Sequence, residues 1–144
     1  MASRQFCTFH LDGLYLGVEV RQVQEVLRYQ RLTRAPLAPP VVRGLINLRG
    51  QIVTALDLRQ RLGLPPALGG KPPMNVVVRT QDATVSLLVD DIGDVAHVDE
   101  ALFERPPETL KGACRALVRG AYKLQGRLLL ELDTDEVLSC AAPA

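Results

Sequence analysis

Few residues in this chain have side chains that could do chemistry, and they are scattered. His10 and His97 each lie in a strand-like stretch, where a histidine is more often half-buried than a general base. The three cysteines, at positions 7, 114 and 140, are an odd set without a Cys-x-x-Cys pair, which is typical of a reduced cytosolic protein. No group of His, Cys and Asp has metal-ligand spacing. We therefore predict no catalytic residue, no metal and no cofactor.

Three neighbouring acidic residues, Asp90, Asp91 and Asp94, are a candidate cation site. No glycine-bracketed loop with a distal glutamate follows them, so a solvated turn is the better interpretation. Phosphate loops, dinucleotide-binding fingerprints and nucleophile elbows are also missing. A small β-barrel enzyme or ligand carrier would need a pocket with convergent polar groups, for which the sequence offers no set. These absences favour a binding adaptor over an enzyme.

Composition narrows the possible partners. The chain has 144 residues, 47% of them hydrophobic, and a net charge of +1, which indicates a globular protein. This charge gives no electrostatic footprint for nucleic acid, and aromatic residues at 4% leave few platforms for base stacking. No apolar run approaches the length of a membrane span. We predict no nucleic-acid partner and no direct membrane insertion.

A stretch at 42–57 is repeated near the C-terminus at 118–133. With a shift of 76 positions, seven of the sixteen residues coincide. They are Val42/Val118, Arg43/Arg119, Gly44/Gly120, Leu48/Leu124, Gly50/Gly126, Leu56/Leu132 and Asp57/Asp133. A weaker echo, at a shift of 69, relates Val20, Val23, Glu25 and Val26 to Val89, Ile92, Asp94 and Val95. Two copies in register predict a duplicated β subdomain rather than a solenoid.

Periodicity assigns the elements of the first half. Alternation predicts a hairpin from 5–11 and 14–18, turning at Asp12-Gly13. Helical spacing of valines predicts a short helix over 20–27. Prolines mark a loop at 33–40, and the hairpin of 42–57 follows, built through Leu48, Ile52 and Leu56. Asp57 is expected to cap a short helix that Gly63 ends.

The second half repeats this order. The segment 63–73 is predicted to be an exposed, mobile loop, followed by a hairpin from 74–78 and 84–89 that turns at Gln81-Asp82. A strand or helix is expected over 92–98, a proline-interrupted loop over 102–110 and the second hairpin over 115–132. A short helix at 133–138 and a frayed end at 140–144 complete the chain. About ten short strands and few helical turns are typical of small barrels.

The motifs themselves resemble the CheW family, over residues 5–138. They read Val20-x-x-Val23-Gln24-Glu25-Val26, Val42-x-Gly44-x-x-Asn47-Leu48-Arg49-Gly50-x-Ile52-Val53, Leu56-Asp57-Leu58-Arg59 and Val89-Asp90-x-Ile92-x-Asp94-Val95. The resemblance implies a mainly β fold, with two SH3-like five-stranded barrels from an internal duplication, a shared core and a few short helices. The whole chain, 1–144, would be a single CheW-like domain. Its first barrel is expected mostly over 15–62 and its second over 74–132, with the termini crossing between them.

The same resemblance implies a non-catalytic adaptor in cytoplasmic signalling arrays. It would couple methyl-accepting chemoreceptors to a CheA-type histidine kinase in chemotaxis. The regulatory domain of the kinase has the same fold and would pair with it through pseudo-equivalent barrel surfaces. The cytoplasmic helical tip of the receptor would dock in a hydrophobic groove between the barrels. An adaptor of a variant array, such as one controlling twitching pili, and a regulatory domain cut from the kinase are the alternatives; Met1 close to the first strand argues against the latter.

By resemblance, four positions are expected to face a partner: Val23, Glu25, Gly44 and Arg49. The Arg49 fork can bind a carboxylate in bidentate fashion from a turn that projects it outward. The alternatives are a solvated arginine or an internal bond to Glu25. Val23 could equally belong to the core, Glu25 to a solvated helix face, and Gly44 could serve close backbone approach. Because the second copy has Gln125 at the place of Arg49, the copies are not expected to be equivalent in function.

Overall fold

The computed structural model describes residues 2–69, 71–81 and 83–139. In these ranges the chain is mainly β, with eleven strands, three short helices and two single turns of 3₁₀ helix. The strands are β1 Ser3–Leu11, β2 Leu14–Glu19, β3 Val23–Leu27, β4 Val42–Leu48, β5 Gln51–Asp57, β6 Met74–Arg79, β7 Thr84–Val89, β8 Asp91–Asp99, β9 Phe103–Glu104, β10 Val118–Leu124 and β11 Arg127–Leu132. The helices are α1 Leu58–Arg61, α2 Gly112–Leu117 and α3 Thr134–Leu138. The predicted mainly β fold class, with few and short helices, is confirmed.

The strands form two sheets whose orders correspond. The first sheet runs β8-β1-β2-β11-β10-β9 and the second runs β3-β6-β7-β5-β4. Each contains a hairpin, β1–β2 or β6–β7, whose second strand pairs in parallel with β11 or β5 respectively. The β1–β2 hairpin belongs to the first repeat by sequence but pairs with β11 of the second repeat. The β6–β7 hairpin belongs to the second repeat by sequence but pairs with β5 of the first repeat. This reciprocal exchange ties the two copies together.

The two hydrogen-bonded sheets use different stretches of the chain. Strands β6 and β7 lie in the second sheet together with β4 and β5, whereas β1 and β2 lie in the first. The second sheet thus uses residues 23–89 and the first uses the segments on either side. The barrel bounds of 15–62 and 74–132, which the family resemblance implies, stay a prediction.

The main hydrophobic core is shared between the sheets. Side chains of β1, β2, β10 and β11 pack in one cluster with side chains of β5, β6 and β7 and of the short helices. Phe9, Leu16, Leu56, Leu87 and Val137 in this cluster are fully buried. Each sheet adds a smaller cluster of its own. Burial of apolar surface at about 25 cal/mol per Å² makes this core the main stabilising contribution.

Several predicted local structures are confirmed. The first hairpin turns at Asp12 and Gly13, both with positive φ, and the hairpin of β6 and β7 follows the 63–73 loop. Asp57 caps α1 by accepting a hydrogen bond from the Gln60 amide, and Asp133 caps α3 in the same way from the Glu136 amide. Gly63, at φ 73°, follows α1 as expected of a residue that ends a helix.

The predicted helix over 20–27 is wrong. Only Val20–Gln22 form a single 3₁₀ turn, and β3 begins at Val23. Half-buried and exposed residues alternate along β3, which is the period of a strand with one covered face. The β-branched valines favour this state, and pairing with β6 provides the backbone partners that a short isolated helix would lack.

Three further segments refine the predictions. Residues 91–99 are a strand, the predicted loop of 102–110 contains the two-residue β9, and α2 precedes the second hairpin.

Cys7 and Cys114 are free, and burial raises the pKa of both thiols. The predictions for the turn residue Asp82, for Cys140 and for the frayed end of 140–144 lie outside the described residues. No helix in the described ranges is long and apolar enough to cross a membrane.

Candidate partner-binding surface

Arg49 stands at the tip of the β4–β5 hairpin. Its φ of 52° and the φ of 86° at Gly50 form the tight turn that joins the two strands. The Asn47 side chain stabilises this turn, because its Oδ1 accepts a hydrogen bond from the Gly50 amide at 2.9 Å. The turn leaves 74% of the Arg49 side chain exposed. The predicted outward projection of this arginine is therefore present.

Glu25 binds the guanidinium of Arg49 with both carboxylate oxygens. The Nη1 to Oε2 distance is 2.5 Å and the Nη2 to Oε1 distance is 2.8 Å, a bidentate pair. This hydrogen bonding to Glu25 raises the pKa of Arg49. Only 16% of the Glu25 side chain is exposed, so the arginine covers the carboxylate and presents its own outer edge to solvent. The internal bond to Glu25, one of the sequence-based alternatives, is thus formed.

The Glu25–Arg49 pair also joins the two edges of the second sheet. Glu25 lies on the edge strand β3, and Arg49 follows the opposite edge strand β4. Half-buried Leu27 and Leu32 pack on the small core of this sheet, which includes Ile46 and Leu48 of β4. The sheet therefore curls until its edges meet, and the ion pair fixes the outer end of that contact.

The other two predicted site residues lie apart from the pair. Val23 is half-buried on β3 and packs against the main core. Gly44 is buried on β4, where an added Cβ would come within 2.6 Å of the Thr33 carbonyl oxygen. Thr33 and Leu45 exchange two backbone hydrogen bonds of 2.8 and 2.7 Å at this point. Gly44 thus permits close approach of the β3–β4 connection, and its own atoms are not on the surface.

Two exposed apolar residues beside the ion pair were missed by the sequence reasoning. Val26 on β3 is 39% exposed and Ile52 at the start of β5 is 62% exposed. Ile52 was expected to build the core with Leu48 and Leu56, and for Ile52 this is wrong. The available signal was strand alternation, since Ile52 shares its outward direction with Thr54 while Val53 points inward. Ile52 follows the Arg49-Gly50 turn by two residues, so the hairpin tip combines exposed apolar area with a charged group, which is a common composition for a protein interface.

A second ion cluster, centred on Arg59, lies where the two sheets meet. The guanidinium binds Asp90 through Nε at 3.1 Å and Nη2 at 2.7 Å, binds Asp12 at 3.3 Å and donates to the Pro65 carbonyl at 2.7 Å. Asp12 lies in the β1–β2 turn of the first sheet, and Asp90 links β7 of the second sheet to β8 of the first. The hydrogen bonds from Arg59 lower the pKa of Asp90.

This cluster corrects the interpretation of the acidic trio as a solvated turn. Asp90 is paired with Arg59, Asp91 pairs with Lys71 at 2.8 Å, and Asp91 and Asp94 lie on β8. The sequence did not reveal this pairing, because Arg59 and Asp90 are 31 positions apart in the chain.

A cleft of about 850 Å³ opens beside the Arg59 cluster. Residues from both sheets line it, with Leu11 from β1 and Leu88 and Val89 from β7. Tyr29 and the proline-rich segment after α1 form its outer wall, while Arg59 and Asp90 supply charge. Its mixed apolar and charged lining and its place between the sheets suit a protein segment more than a small polar substrate.

The structure is thus a β-rich domain of two curled sheets on a shared core, with an exposed arginine at a hairpin tip and a cleft between the sheets. The sequence model of the CheW-like domain family matches residues 5–142, and the chain belongs to this family. The chemotaxis protein CheW of Bacillus subtilis is 32% identical over 136 residues, which cover 94% of this chain and 87% of that protein.

Two other comparisons extend this result. The crystal structure of the scaffolding protein TtCheW from Thermoanaerobacter tengcongensis superposes with a TM-score of 0.84 at 25% identity, covering 96% of this chain and 94% of that one. The protein PilI of Pseudomonas aeruginosa is 26% identical over 114 residues, which cover 79% of this chain and 64% of PilI. The predicted CheW family is therefore confirmed, and with it the prediction that the chain is not an enzyme.

Proposed function

We propose that this protein is a scaffold that couples methyl-accepting chemoreceptors to a CheA-type histidine kinase in cytoplasmic chemosensory arrays. The observation that carries the proposal is the match to CheW-like proteins over nearly the whole chain, including a solved scaffolding protein of the same fold. The array lies at the membrane through the receptors, so the adaptor itself needs no membrane segment. Its role is to bind two partners at once, and no chemical step is required of it.

Two different surfaces support the proposal of two partners. The hairpin tip exposes Arg49 and the apolar Ile52, a composition that would suit the barrel-to-barrel contact with the regulatory domain of the kinase. The cleft between the sheets would suit the helical tip of a receptor, because the exposed side chains of Tyr29 and Leu68 in its lining can contact the apolar face of a helix. In this arrangement Glu25 orients the Arg49 fork and Gly44 shapes the sheet behind it.

The decisive experiment is a titration of the full chain with the isolated regulatory domain and, separately, with a soluble receptor tip. We expect micromolar or tighter binding to both. Arg49→Ala should weaken binding to the kinase domain by about tenfold, because an exposed arginine at the centre of an interface is a frequent hot spot. Gln125→Ala, at the equivalent turn of the second copy, is the matched control and should bind as the wild type does.

Unfolding in urea checks that both variants keep the fold, which is expected since Arg49 is largely exposed. The absence of heat and of co-elution with both partners, well above micromolar concentration, would contradict the proposed function. An unchanged affinity of Arg49→Ala would remove this residue from the interface.

The similarity to PilI favours a second candidate, an adaptor of a variant array that controls type IV pili. The chemistry of the two roles is the same and the partners differ. Binding to the kinase of a pilus system but not to that of a flagellar system, compared in one titration series, would favour this alternative.

A further inference from the structure

The middle of the chain carries charge of one sign. Between Glu25 and Asp57 there is no acidic residue, yet this stretch contains five arginines. They are Arg28, Arg31, Arg34, Arg43 and Arg49. Two of them are neutralised by partners at the ends of the stretch, Arg43 by Asp57 at 3.1 Å and Arg49 by Glu25. The excess positive charge therefore belongs to the other three.

These three arginines lie on one exposed segment, 28–34, which we name the arginine segment. All three side chains belong to exposed residues, and in the part of the chain that the structure describes none of them makes an ion pair. They recur at every third position. Six residue steps of chain span at most about 20 Å, so the Cα atoms of the three arginines lie within that distance of one another.

The backbone of the arginine segment is held in place at two points. The fully buried Asn75 donates from Nδ2 to the Arg28 carbonyl at 3.1 Å, and its Oδ1 is fixed by the Ser86 hydroxyl at 2.7 Å. At the other end Thr33 exchanges two backbone hydrogen bonds with Leu45. Gly44 is what allows this second contact, because a Cβ there would overlap the Thr33 carbonyl. The segment is therefore pre-organised, which lowers the entropic cost of binding.

Apolar contact area accompanies the charge. Leu32 packs inward on the small core of the second sheet and anchors the segment, while Tyr29 remains 47% exposed between Arg28 and Arg31. A half-exposed tyrosine beside arginines is a frequent composition of protein interfaces. Nucleic acid would need a wider basic surface than three residues on a chain of net charge +1 provide.

The corresponding connection of the other repeat carries no such excess. Between β8 and β10, Glu100, Glu104 and Glu108 are balanced by Arg105, Lys111 and Arg115. An acidic partner is therefore attracted to the first connection and finds no net positive charge at the second, which distinguishes two otherwise similar ends of the molecule.

We propose that the arginine segment is a docking surface for an acidic segment of a protein partner, with carboxylates received by the forks of Arg28, Arg31 and Arg34. This rests on the proposed function in one respect, since it assigns the acidic segment to a protein of the same array. The arginine fork recognises carboxylates in bidentate fashion, and its charge speeds association. Gly44 then contributes to binding by positioning the segment, without touching the partner.

The test compares two triple variants of the full chain with equal change in charge. R28E/R31E/R34E reverses the arginine segment, and R79E/K111E/R119E reverses three exposed cations elsewhere. A fluorescent peptide of alternating Glu and Leu is the probe, and its Gln-for-Glu version is the neutral control. We expect the wild type and the second variant to bind the Glu peptide, and the first variant to bind it at least about tenfold more weakly. Binding should weaken as salt is raised.

Both variants are also titrated with the kinase regulatory domain and the receptor tip, and urea unfolding confirms that they fold; R28Q/R31Q/R34Q replaces the first variant if charge reversal impairs folding. Weaker binding of one partner by the first variant alone supports the proposal. Equal partner binding by both variants, with no preference for the Glu peptide, would overturn it while leaving the adaptor function intact. Failure of the wild type to bind either partner, with the Glu peptide still bound through the arginine segment, would count against the adaptor function instead. Tighter binding of a single-stranded oligonucleotide or an anionic vesicle than of the peptide would also overturn the proposal.

Discussion

The β4–β5 and β10–β11 hairpins share one sequence pattern, but they differ at the tip and in the short helix that follows. Each has an irregular register beside its glycine, Gly44 or Gly120. In each, the amide of the closing aspartate donates a 2.8 Å hydrogen bond to a carbonyl just before the first strand, and the aspartate side chain then caps a short helix. The glycines and aspartates that coincide between the copies therefore build the hairpin.

The residues that do not coincide have individual roles. Arg49 at the first tip closes its sheet through Glu25, whereas the second tip has Gln125. Arg59 in α1 binds carboxylates at the junction of the two sheets, whereas the equivalent position in α3 is Asp135. Comparison within a duplicated chain thus separates residues that hold the fold from candidates for function, using one sequence alone.

The largest expected change in stability comes from replacing the two equivalent glycines, Gly44 and Gly120, by alanine. In Gly120→Ala the new methyl would lie 2.2 Å from the Phe103 ring and 2.6 Å from the Glu104 carbonyl, and in Gly44→Ala it would lie 2.6 Å from the Thr33 carbonyl. Backbone atoms cannot yield as a flexible side chain can, so each variant should lose about 1–3 kcal/mol of unfolding free energy. Urea denaturation measures the loss.

The turn glycine Gly126 provides the control for this pair. Nothing lies within 4 Å of an added Cβ there, and its φ of 80° is one that asparagine tolerates. Gly126→Asn should therefore cost less than either alanine variant. If Gly44→Ala or Gly120→Ala is as stable as the wild type, close backbone approach is not the reason why both copies have glycine.

The aspartates that close the hairpins should give a smaller and more equal effect. Asp57→Ala and Asp133→Ala each remove one helix cap, made at 3.2 Å in both copies, and should each lower the unfolding free energy by about 1 kcal/mol. The Arg43 contact to Asp57 is exposed and adds little. Asp57→Asn and Asp133→Asn keep an acceptor oxygen and should recover most of the loss. Unequal losses that exceed the contribution of Arg43 would show that the caps are not equivalent.

The sequence was most informative where structure is local. Turn residues such as Asp12 and Gly13, the capping aspartates and the strand periods predicted hairpins and helix starts, because each depends on a few neighbouring side chains. The helix expected over 20–27 failed because the periodicity of so few residues is ambiguous, and pairing with β6 decided between the two states.

Contacts between distant parts of the chain could not be predicted from the sequence for a related reason. The exchange of hairpins between the sheets depends on which strands pair, and the repeat is compatible with either arrangement. Likewise one of the partners of Arg4 is the buried Glu131, which is 127 positions away, and no local pattern connects the two residues. At the candidate surface, the pairing of Arg49 with Glu25 was among the alternatives, but the exposure of Ile52 was not.

The smallest expected effect concerns the ion pair of Arg59 and Asp90 at the junction of the sheets. Asp90 accepts hydrogen bonds from Arg59, which hold its pKa in the folded chain below its ordinary value of 3.8. Its contribution to stability is therefore fully present above that value and is lost as the pH falls through the lower pKa of the folded state.

Asp90→Asn should lower the unfolding free energy at neutral pH by on the order of 1 kcal/mol or less, since the carboxylate is partly exposed. The difference from the wild type should shrink below the ordinary pKa, as urea unfolding at a series of pH values would measure. Asp91→Asn, which affects only the exposed pair with Lys71, is the control and should change the unfolding free energy at neutral pH less than Asp90→Asn does. If the Asp90→Asn difference stays constant through the acid range, the contribution of this pair does not depend on the charge of Asp90, and the contrast between Arg59 and Asp135 is one of packing alone.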